Sequence, residues 1–190
     1  MTSLPLLPGE LEIRHKFVTV SVQLMFRSGS GEKLFRVYCP SLRLQRCAYL
    51  YAVREKEELL LWMSPVWGLT WNVQINLPND EILGVLRKER SETTGRVEWV
   101  AIDANGEKML TVRPEGTVLH RLRKRLTLFS KQEEKIFVGD KSVGSFIRRA
   151  GYVHERYSVK LDPETRQFVE PRFLLAAATG LTGIFDRLFT

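Results

Sequence analysis

Little in this sequence is equipped for catalysis or for holding a metal. Of 190 residues only two are cysteine and three are histidine. Cys39 and Cys47 stand eight apart in strand-like sequence, which reads as reduced core thiols rather than a disulfide framework. His15, His120 and His154 have no ligand spacing with the cysteines, so no metal site is expected. A phosphate loop, a dinucleotide fingerprint, a nucleophile elbow and a zinc-protease helix are all missing. Carboxylates are scattered through turns. The expectation is a protein that is not an enzyme and uses no cofactor. The amino terminus lacks a basic stretch, and Leu4-Pro5-Leu6-Leu7-Pro8 is too short for a signal-peptide core. The cytoplasm is therefore the expected compartment, with a peripheral place on a membrane left open.

The chain also lacks an apolar helix long enough to cross a bilayer. The uncharged run Phe173 to Phe185 is thirteen residues, against the roughly 20 a span needs. Arg172, Asp186 and Arg187 bound it. Pro171 suits a first helical position, and the run has no polar face. A helix that is apolar all round must be enclosed, by protein or by lipid. Its length favours protein, so a buried helix over about 172–188 is expected, and a membrane anchor is the rival reading. Ala176, Ala177, Ala178, Gly180 and Gly183 keep it thin, so that its surroundings can approach closely.

What the rest of the chain holds is alternation. Residues 1–13 carry Pro5, Pro8 and Gly9 without a clear period and read as an arm. From Val18 to Phe26 apolar and polar residues alternate, and Ser28-Gly29-Ser30-Gly31 turns the chain back into a strand over 33–39. Further short strands are expected over 49–54, 59–63, 70–76, 82–87, 97–103, 109–113, 126–129, 135–138, 143–148, 156–161 and 167–169. Ala104-Asn105-Gly106 is a strong hairpin signal between two of them. Spacing of this kind makes a sandwich or a barrel in a single domain, 14–190. Two internal echoes accompany it. Gly31-Glu32-Lys33 with Val37 recurs as Gly106-Glu107-Lys108 with Val112, and Asp80, Gly84, Leu86 and Lys88 recur as Asp140, Gly144, Phe146 and Arg148. A closed sheet of about a dozen strands is too wide for its own side chains to fill. The thin apolar helix would fill it, so the expected fold is mainly β, a closed antiparallel barrel around a central C-terminal helix.

Gly144-Ser145-Phe146-Ile147-Arg148-Arg149, Tyr157-Ser158-Val159 and the terminal apolar run resemble the carboxy-terminal part of phospholipid scramblases and LURP-one-related proteins. Asp103-Ala104-Asn105-Gly106-Glu107 with Leu110-Thr111-Val112-Arg113 is similar to their central hairpin. The resemblance, over about residues 80–190, is to the tubby C-terminal-like superfamily. It implies a twelve-stranded barrel around a helix, and a place among proteins that bind phosphoinositides or act at membranes. The region that would correspond to the scramblase calcium site, Lys160 to Arg166, lacks a dense acidic run, so calcium binding is not expected. The cysteine-rich palmitoylation segment of animal scramblases is absent as well.

Net charge is +7, which favours acidic partners without choosing among them. The densest basic stretch is His120-Arg121-Leu122-Arg123-Lys124-Arg125. Arg87, Lys88 and Arg90, and Arg148 with Arg149, are smaller clusters at equivalent places in the second echo. If the strands align them, these residues form one basic face for anionic phospholipid head groups. The bland alternative is a solvated sheet edge guarded by charge. Other open readings are a protein-interaction or stress-response scaffold and a nucleic-acid-binding protein. Trp62, Trp67, Trp71 and Trp99 suit interfacial anchors, base stacking or core; Trp71 and Trp99 fall on apolar strand faces, which favours core.

Overall fold

The alternating segments form twelve strands. The computed structural model describes residues 4, 6–18, 21–40, 47–53, 56–66, 72–91, 95, 97–114, 131–149 and 156–184. The strands are β1 (Glu10–Val18), β2 (Ser21–Ser28), β3 (Lys33–Pro40), β4 (Ala48–Ala52), β5 (Glu58–Val66) and β6 (Asn72–Asn76). They continue as β7 (Ile82–Arg90), β8 (Val97–Asp103), β9 (Lys108–Pro114), β10 (Lys131–Val138), β11 (Lys141–Arg149) and β12 (Arg156–Leu161). Helix α1 (Pro171–Leu181) follows a short 3-10 turn over Arg166–Phe168. Each strand pairs antiparallel with its sequence neighbours, and β1 pairs with β12, so the sheet closes into a barrel. Closure leaves no unpaired edge to attract a foreign strand.

Period-two burial sends one set of side chains inward. Leu24 and Phe26, Val37 and Cys39, Leu50, Leu61 and Met63, Val73 and Ile75 are all buried. The lumen is filled by α1, as its sequence requires. Phe173 to Gly180 are buried without interruption, so no face of the helix meets water. The helix approaches β5, β8 and β9 most closely, all within five consecutive strands of the wall. Ala176, Ala177 and Ala178 are almost wholly enclosed, which is where the thin waist allows close approach. Burying each of Phe173, Leu174 and Leu175 is worth about 1.5–3 kcal/mol before entropy is subtracted.

Local chemistry fixes both ends of the helix. The Glu170 carboxylate accepts from the backbone N–H of Arg172 (2.8 Å) and Phe173 (3.1 Å) and also holds the Arg172 guanidinium at 2.6 Å. It thereby satisfies donors that a helix start leaves open. At the other end the Tyr157 hydroxyl donates to the Thr182 carbonyl at 3.3 Å, tying the helix end to β12.

Five hairpins turn at one end of the barrel, and each carries a bulge just after its turn. The registers leave Leu34, Leu60, Leu83, Met109 and Val143 as the extra residues. Bulges add twist and curvature, which a closing sheet needs. The first sequence echo has the same turn geometry in its two copies, and the second shares its bulge and one backbone contact although its turns differ in length. Gly31 and Gly106 adopt φ of 88° and 90° in equivalent turns. The Leu83 carbonyl accepts from Ala104 N–H at 3.1 Å, and the Val143 carbonyl from Asp162 N–H at 3.0 Å.

Three expectations are corrected. The stretch read as an arm ends at Gly9, because Glu10–Ile13 belong to β1, and Leu11 and Ile13 are buried in the core. The alternation there is short and was masked by the prolines before it. The strand expected over 167–169 is instead the 3-10 turn that redirects the chain into the lumen. The helix ends at Leu181, not near 188: Gly183 takes a left-handed φ of 73° just past the cap, a conformation that stops a helix. The strand expected over 126–129 lies outside the described residues.

Candidate functional site

Charge is distributed unevenly along the barrel axis. The hairpin-turn end carries Glu32, Asp80, Asp103, Asp140, Asp162 and Glu164 in turns or just beyond strand ends. Toward the far end, strands begin or finish on Arg90, Lys131, Arg149 and Arg156. The sharpest feature is a row across the closure of the barrel. Lys131 pairs with Arg149, Arg149 with Arg156, and Arg156 with Arg14. Four basic residues thus stand directly opposite one another on β10, β11, β12 and β1. Neighbouring strands are about 4.8 Å apart, so such positions are close neighbours on one face.

Like charges in direct register are unfavourable. Arg14, Arg149 and Arg156 are exposed. Arg14 is held by Glu12 at 2.9 Å, and this hydrogen bond raises the guanidinium above its ordinary value. Arg149 and Arg156 have no ion-pair partner among the described residues. An anion with several acceptor oxygens would relieve their repulsion, and guanidinium forks suit phosphate oxygens geometrically.

The residues singled out from sequence are distributed differently. Arg149 belongs to the row just described. Arg148, its neighbour, takes the lumen-facing register, where its guanidinium lies 5.9 Å from the centre of the Tyr157 ring. Lys88 also takes the lumen-facing register, with Nζ 4.7 Å from the centre of the Trp99 ring. Arg87 faces outward and pairs with Glu89, which Lys108 also reaches at 3.3 Å. β8, β9 and β10 separate β7 from β11, about 19 Å along the sheet. Arg87 and Arg149 therefore do not merge into a single patch. Arg121, Arg123, Lys124 and Arg125 lie outside the described residues; the residues that flank that segment, Pro114 and Lys131, sit at the far ends of β9 and β10. Sequence reading missed Arg14, Arg156 and Lys131. None of them adjoins another lysine or arginine in the sequence, and only the pairing of β1 with β12 and of β10 with β11 brings them together.

The His15 ring lies tilted by 40° beside that of Tyr157, ring centres 5.4 Å apart, and His120 and His154 lie outside the described residues. No group of three metal-ligating side chains converges among the described residues. A cavity of about 310 Å³ opens beside the start of α1, lined by Leu4, Leu60, Leu77 and Pro78 with Glu58 and Arg172. Arg172 is already engaged by Glu170 there. No described helix is long and apolar enough to cross a membrane.

No family model matches the chain. No curated protein matches it either. Among solved structures, the crystal structure of a protein from Arabidopsis thaliana is similar over 96% of this chain and 93% of that one, with a TM-score of 0.52 and 14% identity. At that identity the likeness is one of fold, a closed twelve-stranded antiparallel barrel with a C-terminal helix, and it extends over nearly the whole of both chains.

Proposed function

We propose that this protein is a non-catalytic binding module that recognises anionic phospholipid head groups at a membrane surface. The observation that carries the reading is the row of Arg14, Arg156, Arg149 and Lys131 across four adjacent strands. A sheet gains nothing for its own stability by aligning like charges. It gains a surface on which several cations meet one polyanionic group. The net charge of +7 adds long-range attraction toward an anionic bilayer. The sequence resemblance to scramblase and LURP-one-like chains of the tubby C-terminal-like superfamily belongs to the same proposal, as does a cytoplasmic, peripheral location.

The test is co-sedimentation with vesicles of phosphatidylcholine alone and of phosphatidylcholine with phosphoinositide. Selective binding to the second is expected, weakening as salt is raised. Arg149→Gln and Arg156→Gln should each weaken it about fivefold, the equivalent of about 1 kcal/mol per cation near an anionic surface. Charge reversal of Arg123, Lys124 and Arg125 together measures the contribution of that stretch. Equal binding to both vesicle types at low salt would remove the proposal.

A further inference from the structure

A second surface lies on another wall of the barrel, over β3, β4 and β5. Strand registers place Tyr38 opposite Tyr49, and Tyr49 opposite Trp62. The row continues outward to Gln23 on β2 and Asn76 on β6. In the next row Arg36 stands opposite Tyr51, with its guanidinium 5.5 Å from the centre of that ring. The inward neighbours of these residues, Val37, Leu50, Leu61 and Met63, fill the core. Tyr38, Tyr49, Tyr51 and Trp62 therefore face outward, each half-buried. Four aromatic side chains on the outer face of three adjacent strands are not needed by a core that α1 already fills.

Carboxylates on this wall are confined to one turn. Beyond Glu57 and Glu58 at the turn into β5, the outward positions of β3, β4, β5 and β6 hold no carboxylate among the described residues. The wall over β7, β8 and β10 differs, carrying Glu89, Glu98 and Glu133. Polar side chains are packed behind the aromatic rows. Gln74 donates to the Asn76 side-chain oxygen at 2.6 Å, which leaves the Asn76 amide nitrogen buried without an acceptor. The Arg36 Nε–H is also buried without one, although the other end of its guanidinium holds Glu57. A face of tyrosine and tryptophan rings with phenol hydroxyls, and with no carboxylate away from the turn into β5, complements a ligand made of flat rings and acceptor oxygens. A hydrocarbon surface would leave the hydroxyls unmatched, and a basic peptide would find carboxylates only at the turn.

We infer that the outer wall of β3–β5 binds single-stranded nucleic acid, with bases stacking on Tyr38, Tyr49 and Trp62 and the phosphodiester chain drawn by the overall positive charge. Adjacent-strand aromatics on an exposed sheet can hold two or three unstacked bases, and stacking of this kind is tolerant of sequence. This surface shares no residue with the arginine row and does not depend on lipid binding there.

The experiment is fluorescence anisotropy of a labelled uridine 12-mer at about 50 mM salt, where phosphate contacts are strong. Binding by the wild type is expected, and Tyr49→Leu and Trp62→Leu should each weaken it about tenfold. These variants keep an apolar side chain on the strand and remove only the ring face; far-UV circular dichroism and the thermal midpoint check their folding. Tyr49→Phe and Trp62→Phe retain a ring and should bind within about twofold of wild type, which a purely structural role for these residues would not require. The double variant Arg149→Gln/Arg156→Gln should leave the dependence on Trp62 intact even if its vesicle binding is lost. Absence of a shift with the 12-mer overturns the inference. So does a folded Trp62→Leu that binds as wild type. Loss of vesicle binding in Tyr49→Leu, without oligonucleotide binding by the wild type, would make this wall a membrane contact and likewise overturn it.

Discussion

The tightest test of the architecture is a single methyl group at Gly84. This residue lies on β7 where the strand crosses both its neighbour and the central helix. A Cβ built there would overlap the Ile102 carbonyl oxygen and come within 2.9 Å of Phe173 Cε1 and 3.0 Å of the Asp103 Cα. The Phe173 ring can turn aside, but a backbone carbonyl in the ladder cannot move without breaking the pairing of β7 with β8. Overpacking of a close-packed core costs typically 1–3 kcal/mol, and a backbone clash belongs at the upper end, about 3 kcal/mol. For a domain of this size that lowers the thermal midpoint by roughly 6–12 °C. Urea denaturation followed by far-UV circular dichroism should show a lower midpoint for Gly84→Ala with an unchanged slope. Adding Phe173→Leu should not rescue it, because the carbonyl is the fixed obstacle. Gly29→Ala is the control: nothing lies within 4 Å of a Cβ there, so the change should stay within about 0.5 kcal/mol. If Gly84→Ala were as stable as wild type, the close approach of β7 to β8 and to the helix would be refuted.

Two further outcomes follow from the surroundings of single groups. The Asp103 carboxylate accepts from the backbone N–H of Glu107 and Asn105, at 2.8 and 2.9 Å, and the Glu107 bond is the largest cause that lowers its pKa below the ordinary carboxylate value. A depressed folded-state pKa gives stability that is present above the unfolded value and lost as pH falls through the folded one. Wild type should therefore exceed Asp103→Asn in thermal midpoint at about pH 7, and the gap should shrink as pH falls below the ordinary carboxylate value; a gap that does not shrink in acid would contradict this. Burial pushes the Cys39 thiol up to about 12, with the nearby Cys47 adding to the shift. Iodoacetamide at about pH 8 should accordingly modify Cys47 in the native protein and reach Cys39 only in urea, as peptide mass mapping would show. Equal native rates at the two cysteines would be the contrary result.

Much of the fold was legible because its signals are local. Val73 and Ile75 alternate with Asn72, Gln74 and Asn76, and that period alone places one set inside. Gly31 and Gly106 mark turns whose geometry needs a positive φ. The first strand was lost because the alternation in Glu10–Ile13 is brief and follows two prolines. The end of the helix was misplaced because an apolar run says what must be buried and not where the backbone turns. The candidate sites were less legible. Adjacent basic residues, Lys88 beside Arg87 and Arg148 beside Arg149, read as clusters along the chain. On a strand, neighbours point to opposite faces, so each pair is divided between lumen and exterior.

The sequence by itself determined that a thin, wholly apolar helix had to be enclosed and that short alternating strands had to enclose it, since period and burial are properties of consecutive residues. Which charges and rings would meet was decided only by the tertiary structure. Arg14 and Arg156 are 142 residues apart, and their meeting depends on the pairing that closes the barrel. Tyr38, Tyr49 and Trp62 line up only because three strands settle in one register, and register is fixed by the contacts of the whole core.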